Sequence, residues 1–144
     1  MLTIKRLDQQ DCKVLIDGAR AKALKIGVPM CIAITDESGN LLAFEKMDGG
    51  KVTSITIAQD KSYTASAAKK ATHDYNAVNV PGNLAFGIHT EVGGRLSSVG
   101  GGLPVIVDGD VVGGIGLSSG TPAQDMECAQ AGLDHYYEAQ HLTI

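Results

Sequence analysis

The chain contains no tryptophan, and aromatic residues make up only 4% of its 144 positions. A stacking platform for single-stranded nucleic acid needs more aromatic faces than this. A basic stripe is missing too. The formal net charge is −4, and Lys and Arg nowhere cluster, so no nucleic-acid partner is expected. No apolar run approaches the roughly 20 residues that cross a bilayer, so no membrane span is expected. The N-terminal Lys5-Arg6 leads into Asp8-Gln9-Gln10-Asp11 rather than into an apolar signal core. That argues against a secretory leader and for a cytoplasmic protein. Cysteine is sparse and odd in number. Cys12, Cys31 and Cys128 show neither a disulfide framework nor paired zinc spacing, and reduced, buried thiols are expected. The histidines His73, His89, His135 and His141 include no pair at helical metal spacing, so a dedicated metal site is not expected. No Ser sits in a Gly-x-Ser-x-Gly elbow, which removes the hydrolase signature.

Glycine is plentiful, with 18 residues, and it concentrates around one hairpin. Leu103–Val107 and Val111–Leu117 are rich in Val and Ile, and Asp108-Gly109 between them is the two-residue turn that such a hairpin requires. Gly101 and Gly102 leave the backbone bare before the first strand. Gly113, Gly114 and Gly116 do so within the second. Glycine in a strand marks close approach of another backbone or a ligand. A subunit contact, a ligand floor, or both are therefore expected at this hairpin.

The remaining elements follow from periodicity. Cys12, Leu15, Ile16, Ala19, Ala23 and Ile26 share one face of a helix that starts near Asp8 and stops at Gly27. Met30–Thr35 and Leu41–Met47 flank the turn Asp36-Glu37-Ser38-Gly39-Asn40 and form a first hairpin. A second helix is expected over Thr53–Lys70, with Ile57, Lys61, Ala65 and Ala68 on one stripe. Thr72-His73-Asp74-Tyr75 opens a short helix, and 76–97 reads as a long excursion, the kind of segment that often carries function. Thr121-Pro122-Ala123-Gln124 is a capping box that starts the last helix. Two hairpins separated by helices give an α+β fold in a single domain spanning residues 1–144.

Six blocks carry a resemblance. They are Gly27-Val28-Pro29-Met30-Cys31-Ile32-Ala33-Ile34-Thr35-Asp36-Glu37-Ser38-Gly39, Leu42-Ala43-Phe44-Glu45-Lys46-Met47-Asp48-Gly49, and Ile57-Ala58-Gln59-Asp60-Lys61-Ser62-Tyr63-Thr64-Ala65. They continue with Gly101-Gly102-Leu103-Pro104, Gly113-Gly114-Ile115-Gly116-Leu117-Ser118 and Asp125-Met126-Glu127-Cys128-Ala129. In this order they resemble the GlcG-like and HbpS-like proteins, a family that includes the C-terminal domain of PduO-type proteins. The resemblance implies a profilin-like three-layer sandwich, a central antiparallel sheet flanked by helices. It also implies homo-oligomers, dimers and often octamers. Some members bind haem; others accompany the catabolism of small hydroxy acids, diols or glycerol without a settled activity.

The candidate site residues are Lys61, His89, Arg95, Gly101 and Gly102. Lys61 leaves from a small, apolar helix stripe, where it either binds a carboxylate as a compact cation or snorkels to water. Arg95 is a planar anion fork, and His89 is a candidate axial ligand for haem iron. Gly101 and Gly102 offer bare N–H groups and room for a flat or acidic ligand. Asp36, Glu45, Asp48 and Asp125 invite a paired-carboxylate reading, but Asp36 sits in a turn, Asp48 follows a strand and Asp125 opens the last helix, all ordinary places for Asp. The expected function is small-molecule binding, with haem or another tetrapyrrole as the ligand that the resemblance favours. Two alternatives remain: an enzyme or accessory protein acting on a small carboxylate or aldehyde in catabolism, and an assembly module without a ligand. Whether the chain is an enzyme, and which residues would be catalytic, is left open by the sequence.

Overall fold

The computed structural model describes residues 1–142. Asp8 caps the first helix, α1 (Gln9–Ile26), in a reciprocal box with Asp11, and Gly27 ends it in the left-handed conformation at φ 72°. β1 (Cys31–Asp36) and β2 (Leu41–Lys46) form the first hairpin. α2 (Thr53–Ala67) and the short α3 (Thr72–Val78) follow. The excursion then carries a three-residue 3-10 turn at Ile88–Thr90 and the single turn α4 (Glu91–Gly94). β3 (Gly102–Val107) and β4 (Asp110–Ser118) form the second hairpin, and α5 (Pro122–Leu142) closes the fold.

The four strands are antiparallel in the order β2-β1-β4-β3. Helices lie on both faces, as the sandwich expectation requires. α1 and α5 cover one face. Ile32, Ile34, Leu103, Val105, Ile115 and Leu117 point there and pack with Leu15, Ala19, Ala23, Ala129 and Leu133. At roughly 1.5–3 kcal/mol per large buried side chain, this layer supplies most of the apolar stabilisation.

The α2 face is different in kind. Its apolar cluster is small, built on Cys31, Ala33 and Ala58. Hydroxyls fill the rest. Thr35 Oγ1 lies 2.9 Å from both Ser62 Oγ and Ser66 Oγ, Ser62 Oγ donates to Gly114 O at 2.9 Å, and Ser118 Oγ lies 3.0 Å from Ser54 Oγ. Each hydroxyl that faces the sheet finds a partner, which is the condition for burying it at little cost.

This layer decides what the hairpin glycines do. A Cβ on Gly114 would lie 2.5 Å from Ser62 O, and one on Gly116 would overlap Ala58 O. The close approach read from Gly114 and Gly116 is therefore an approach to the chain's own α2, because β4 is a central strand with a helix across it. The expectation of a subunit contact at these glycines is corrected accordingly. The α2 stripe also rotates relative to the sequence expectation. Ser54, Ala58, Lys61, Ser62 and Ala65 are buried, whereas Ile57 is exposed. Small hydroxyl residues are indistinguishable from surface residues until the glycines opposite them are known.

Candidate functional site

The candidates gather along α2, but only in part. Lys61 is 1% exposed. Its ammonium donates to Asp125 Oδ2 and to Leu117 O, each at 2.9 Å, and Asp125 Oδ1 accepts from the Gly120 N–H at 3.0 Å. The pair joins the middle of α2, the end of β4 and the first turn of α5. Burial pulls the Lys61 pKa down and pushes the Asp125 pKa up, and the opposite charge of each partner resists the shift. Lys61 thus neither snorkels to water nor presents its charge to a surface ligand. Both readings of the sequence are corrected by a partner 64 residues away.

Gly101 and Gly102 do lie against Lys61. A Cβ on Gly101, at φ 128°, would stand 2.9 Å from Lys61 Nζ and 2.7 Å from Leu117 O. One on Gly102 would overlap the Lys61 carbonyl. The Gly102 N–H donates to Thr72 Oγ1 at 2.9 Å, and Gly101 O accepts from the Leu117 N–H. These glycines let the loop pass over the buried ion pair. They are not a bare floor for a ligand.

Arg95 keeps the geometry expected of an anion fork. Its guanidinium lies 3.9 Å from the centre of the Tyr63 ring, and its Nε donates to Asp60 Oδ1 at 3.1 Å. The ring contact and the Asp60 bond hold the guanidinium, and among the described residues neither terminal nitrogen has a hydrogen-bond partner. The main chain around it is pinned to α2: Thr64 Oγ1 donates to Arg95 O at 3.1 Å and accepts from the Ser97 N–H at 2.9 Å. Tyr63, Asp60 and Thr64 were missed by sequence reasoning. They precede Arg95 by more than 30 residues and carry no local signal.

His89 is held by Asn79. The Asn79 Oδ1 accepts from the Gly87 N–H at 2.9 Å, and its Nδ2 faces Ser98 Oγ at 3.1 Å and His89 Nδ1 at 2.9 Å. This orientation makes Nδ1 an acceptor and places the ring proton on Nε2. A metal-bound histidine does the reverse, donating from the nitrogen that does not bind. As held here, His89 does not fit axial ligation through Nε2. The excursion around it is apolar and uncovered: Val80, Leu84, Phe86, Val92 and Val99 are all exposed. Val92 adopts φ 52°, ψ 46°, a left-handed conformation that is costly for a β-branched residue.

Three of the acidic candidates, Asp36, Glu45 and Asp125, are engaged in support. Asp36 accepts from the Ser38 and Asn40 N–H groups in the first turn, and Glu45 pairs with Arg20. Cys12, Cys31 and Cys128 are buried and unpaired. Surface cavities of about 110 to 410 Å³ open elsewhere among the described residues. None is lined by Lys61, His89, Arg95, Gly101 or Gly102. The Arg95 side chain is 46% exposed, so the fork stands at the surface. No group of three or more His, Cys, Asp or Glu side chains is arranged for a metal among the described residues.

The family model described as haem degrading protein HbpS-like matches residues 7–134. The chain belongs to the HbpS-like family. An uncharacterised protein encoded in the dhaT–dhaS intergenic region of Citrobacter freundii is 38% identical over 126 residues, covering 88% of this chain and 89% of that protein. The crystal structure of the Klebsiella pneumoniae protein ORFY superposes with a TM-score of 0.93 at 30% identity, covering 95% of this chain and 94% of that one. A crystal structure of a PduOC:haem complex superposes with a TM-score of 0.87 at 32% identity, covering 90% and 94%. The family's fold is thus the one observed here, α+β with a sheet flanked by helices, and haem is a ligand within it.

Proposed function

We propose that this protein binds haem or a related tetrapyrrole on the surface formed by the outer face of α2 and the excursion, in the cytoplasm and as a homo-oligomer. The observation that carries the reading is Arg95, held over the Tyr63 ring and tied to Asp60, with its terminal nitrogens unpartnered among the described residues. That is an anchor for a carboxylate such as a propionate. Exposed Ile57 on α2 and Val92, Leu84 and Phe86 on the excursion supply apolar surface for a macrocycle. The bound group would bring the iron and its chemistry. The chain's own residues would hold a carboxylate and exclude water from one face. An open, apolar surface of this kind is completed by a second copy of the chain, which is the reason for including the oligomer. His89 joins the site as an iron ligand only if Asn79 releases Nδ1.

Absorption titration with haemin tests the reading. Saturable binding to the native protein is expected, with Arg95→Ala weaker by about 1–3 kcal/mol, the cost of losing a charged hydrogen bond. Absence of a spectral change, or full affinity in the variant, rejects it. The Arg95 fork suits a small carboxylate equally well, which keeps an accessory or enzymatic role in catabolism as the second reading. Displacement of haemin by small hydroxy acids at Arg95 would favour it.

A further inference from the structure

The sheet has two edges, β3 and β2, and their backbones are left in different states. In an antiparallel ladder, alternate residues of an edge strand point their N–H and C=O groups away from the neighbouring strand. The Leu117 N–H donates to Gly101 O, which fixes the alternation on β3: Gly102, Pro104 and Ile106 point outward. None of them offers a free donor. The Gly102 N–H donates to Thr72 Oγ1 at 2.9 Å, Pro104 has no N–H, and the Ile106 N–H donates to the Tyr137 hydroxyl at 3.0 Å. On β2 the Met47 N–H donates to Met30 O, so Phe44 and Lys46 are the outward residues. Among the described residues nothing accepts from either N–H. Open space of about 410 and 370 Å³ lies against Phe44, Glu45 and Lys46, so no element covers this edge. Leu41 and Leu42 are exposed at its start.

An unpaired edge is a template for another strand, and proteins block the edges they do not use. Here β3 is blocked donor by donor and β2 is left open. We infer that β2 is an interface between two copies of this chain, paired antiparallel about a two-fold axis at Phe44, so that the sheet continues from one copy into the next. Phe44 then exchanges N–H···O bonds with Phe44 of the second copy, and Ala43 stands opposite Glu45. The registers centred on Glu45 and on Lys46 set each of these charges opposite itself, which opposes pairing. The register centred on Ala43 needs Leu42, where β2 bulges, to pair with Phe44, and a bulged residue is left out of the ladder. The strand is its own complement at Phe44. That side chain already packs on the small cluster of Cys31, Ala33 and Ala58, and a second Phe44 across the axis enlarges this thin layer. The inference rests on the homo-oligomer of the proposed function and is independent of haem and of Arg95.

The test compares the native chain with two β2 variants by light-scattering mass and circular dichroism. Lys46→Pro removes one of the outward donors and copies onto β2 the device that β3 carries at Pro104. Proline is tolerated on an edge strand where the N–H side faces solvent, so a separate copy should keep its fold. Lys46→Pro should at least halve the native mass with an unchanged dichroism spectrum. Phe44→Cys sets two thiols across the axis with Cα atoms about 5.5 Å apart, within the span of a disulfide. Mild oxidation should convert it to a covalent dimer on a non-reducing gel, whereas Ile106→Cys, on the blocked edge, should not cross-link. A native oligomer whose mass Lys46→Pro leaves unchanged overturns the interface and leaves the homo-oligomer standing. Loss of mass in Lys46→Pro without a cross-link in Phe44→Cys overturns the register. A monomeric native protein overturns both the interface and the homo-oligomer. If Lys46→Pro fails to fold, the cross-link decides alone: its absence, or an equal yield in Ile106→Cys, refutes the pairing.

Discussion

Replacing Lys61 by Met removes a charge from the most completely buried ion pair among the described residues. The side chains of Lys61 and Asp125 are 1% and 3% exposed, and the ammonium and carboxylate are 2.9 Å apart. Met keeps most of the aliphatic stem, so little packing is lost. What remains is a buried carboxylate with one donor, the Gly120 N–H, and a Leu117 carbonyl without its partner. Breaking a buried pair from one side costs about 3–5 kcal/mol. In a domain of this size that is a fall in Tm of roughly 10–15 °C. The pH dependence adds a second, independent mark. Burial already raises the Asp125 pKa in the folded protein, and losing the facing Lys61 charge raises it further. A folded-state carboxyl pKa above the unfolded value means that the folded chain holds the proton more tightly. Stability is then lost as pH rises through the unfolded value and above it. Lys61→Met should therefore be most destabilised near neutral pH and should recover toward native stability as pH falls to the ordinary carboxylate range. Urea unfolding at several pH values measures both. Lys61→Met combined with Asp125→Leu should be more stable than Lys61→Met alone at pH 7, because no charge is left behind. A single variant with native stability, or a deficit that grows on acidification, would refute the account of Lys61 as half of a structural pair.

Three further outcomes are expected. Gly116→Ala places a Cβ against the Ala58 carbonyl and should destabilise the monomer fold by about 1–3 kcal/mol or more in urea unfolding, without a specific change in oligomer mass at low denaturant. The thiols of Cys12 and Cys128 are pushed up to about 11 by burial, so native protein at neutral pH should alkylate slowly at both, and denatured protein should take up three equivalents by intact mass. Thr121→Ala removes the hydroxyl that accepts from the Gln124 N–H at 3.2 Å and should cost about 1 kcal/mol, read as a lower urea midpoint with unchanged slope.

Much of this molecule is set by local chemistry that can be read along the chain. Asp8 and Gly27 bound α1, the Thr121 box starts α5, Asp108-Gly109 turns the second hairpin with both residues at positive φ, and the α1 stripe is buried in the pattern that its spacing dictates. These features act over three or four residues, so the sequence alone determines them. With two hairpins placed between helices, they also give the class of fold. What the sequence left open depends on partners that are distant in the chain. Lys61 is the same residue whether it faces solvent, a ligand or Asp125. Only the packing of α5 against the end of β4 brings the carboxylate within 2.9 Å and turns a candidate ligand group into an internal brace. Gly114 and Gly116 announce a close approach but not to what, and the answer is supplied by the small hydroxyl face of α2. Arg95 acquires its position from Tyr63 and Asp60, and His89 its tautomer from Asn79, through contacts that no periodicity encodes. Hydrogen bonds and ion pairs are short-ranged and directional, so their partners are settled only when the tertiary fold has set the distances.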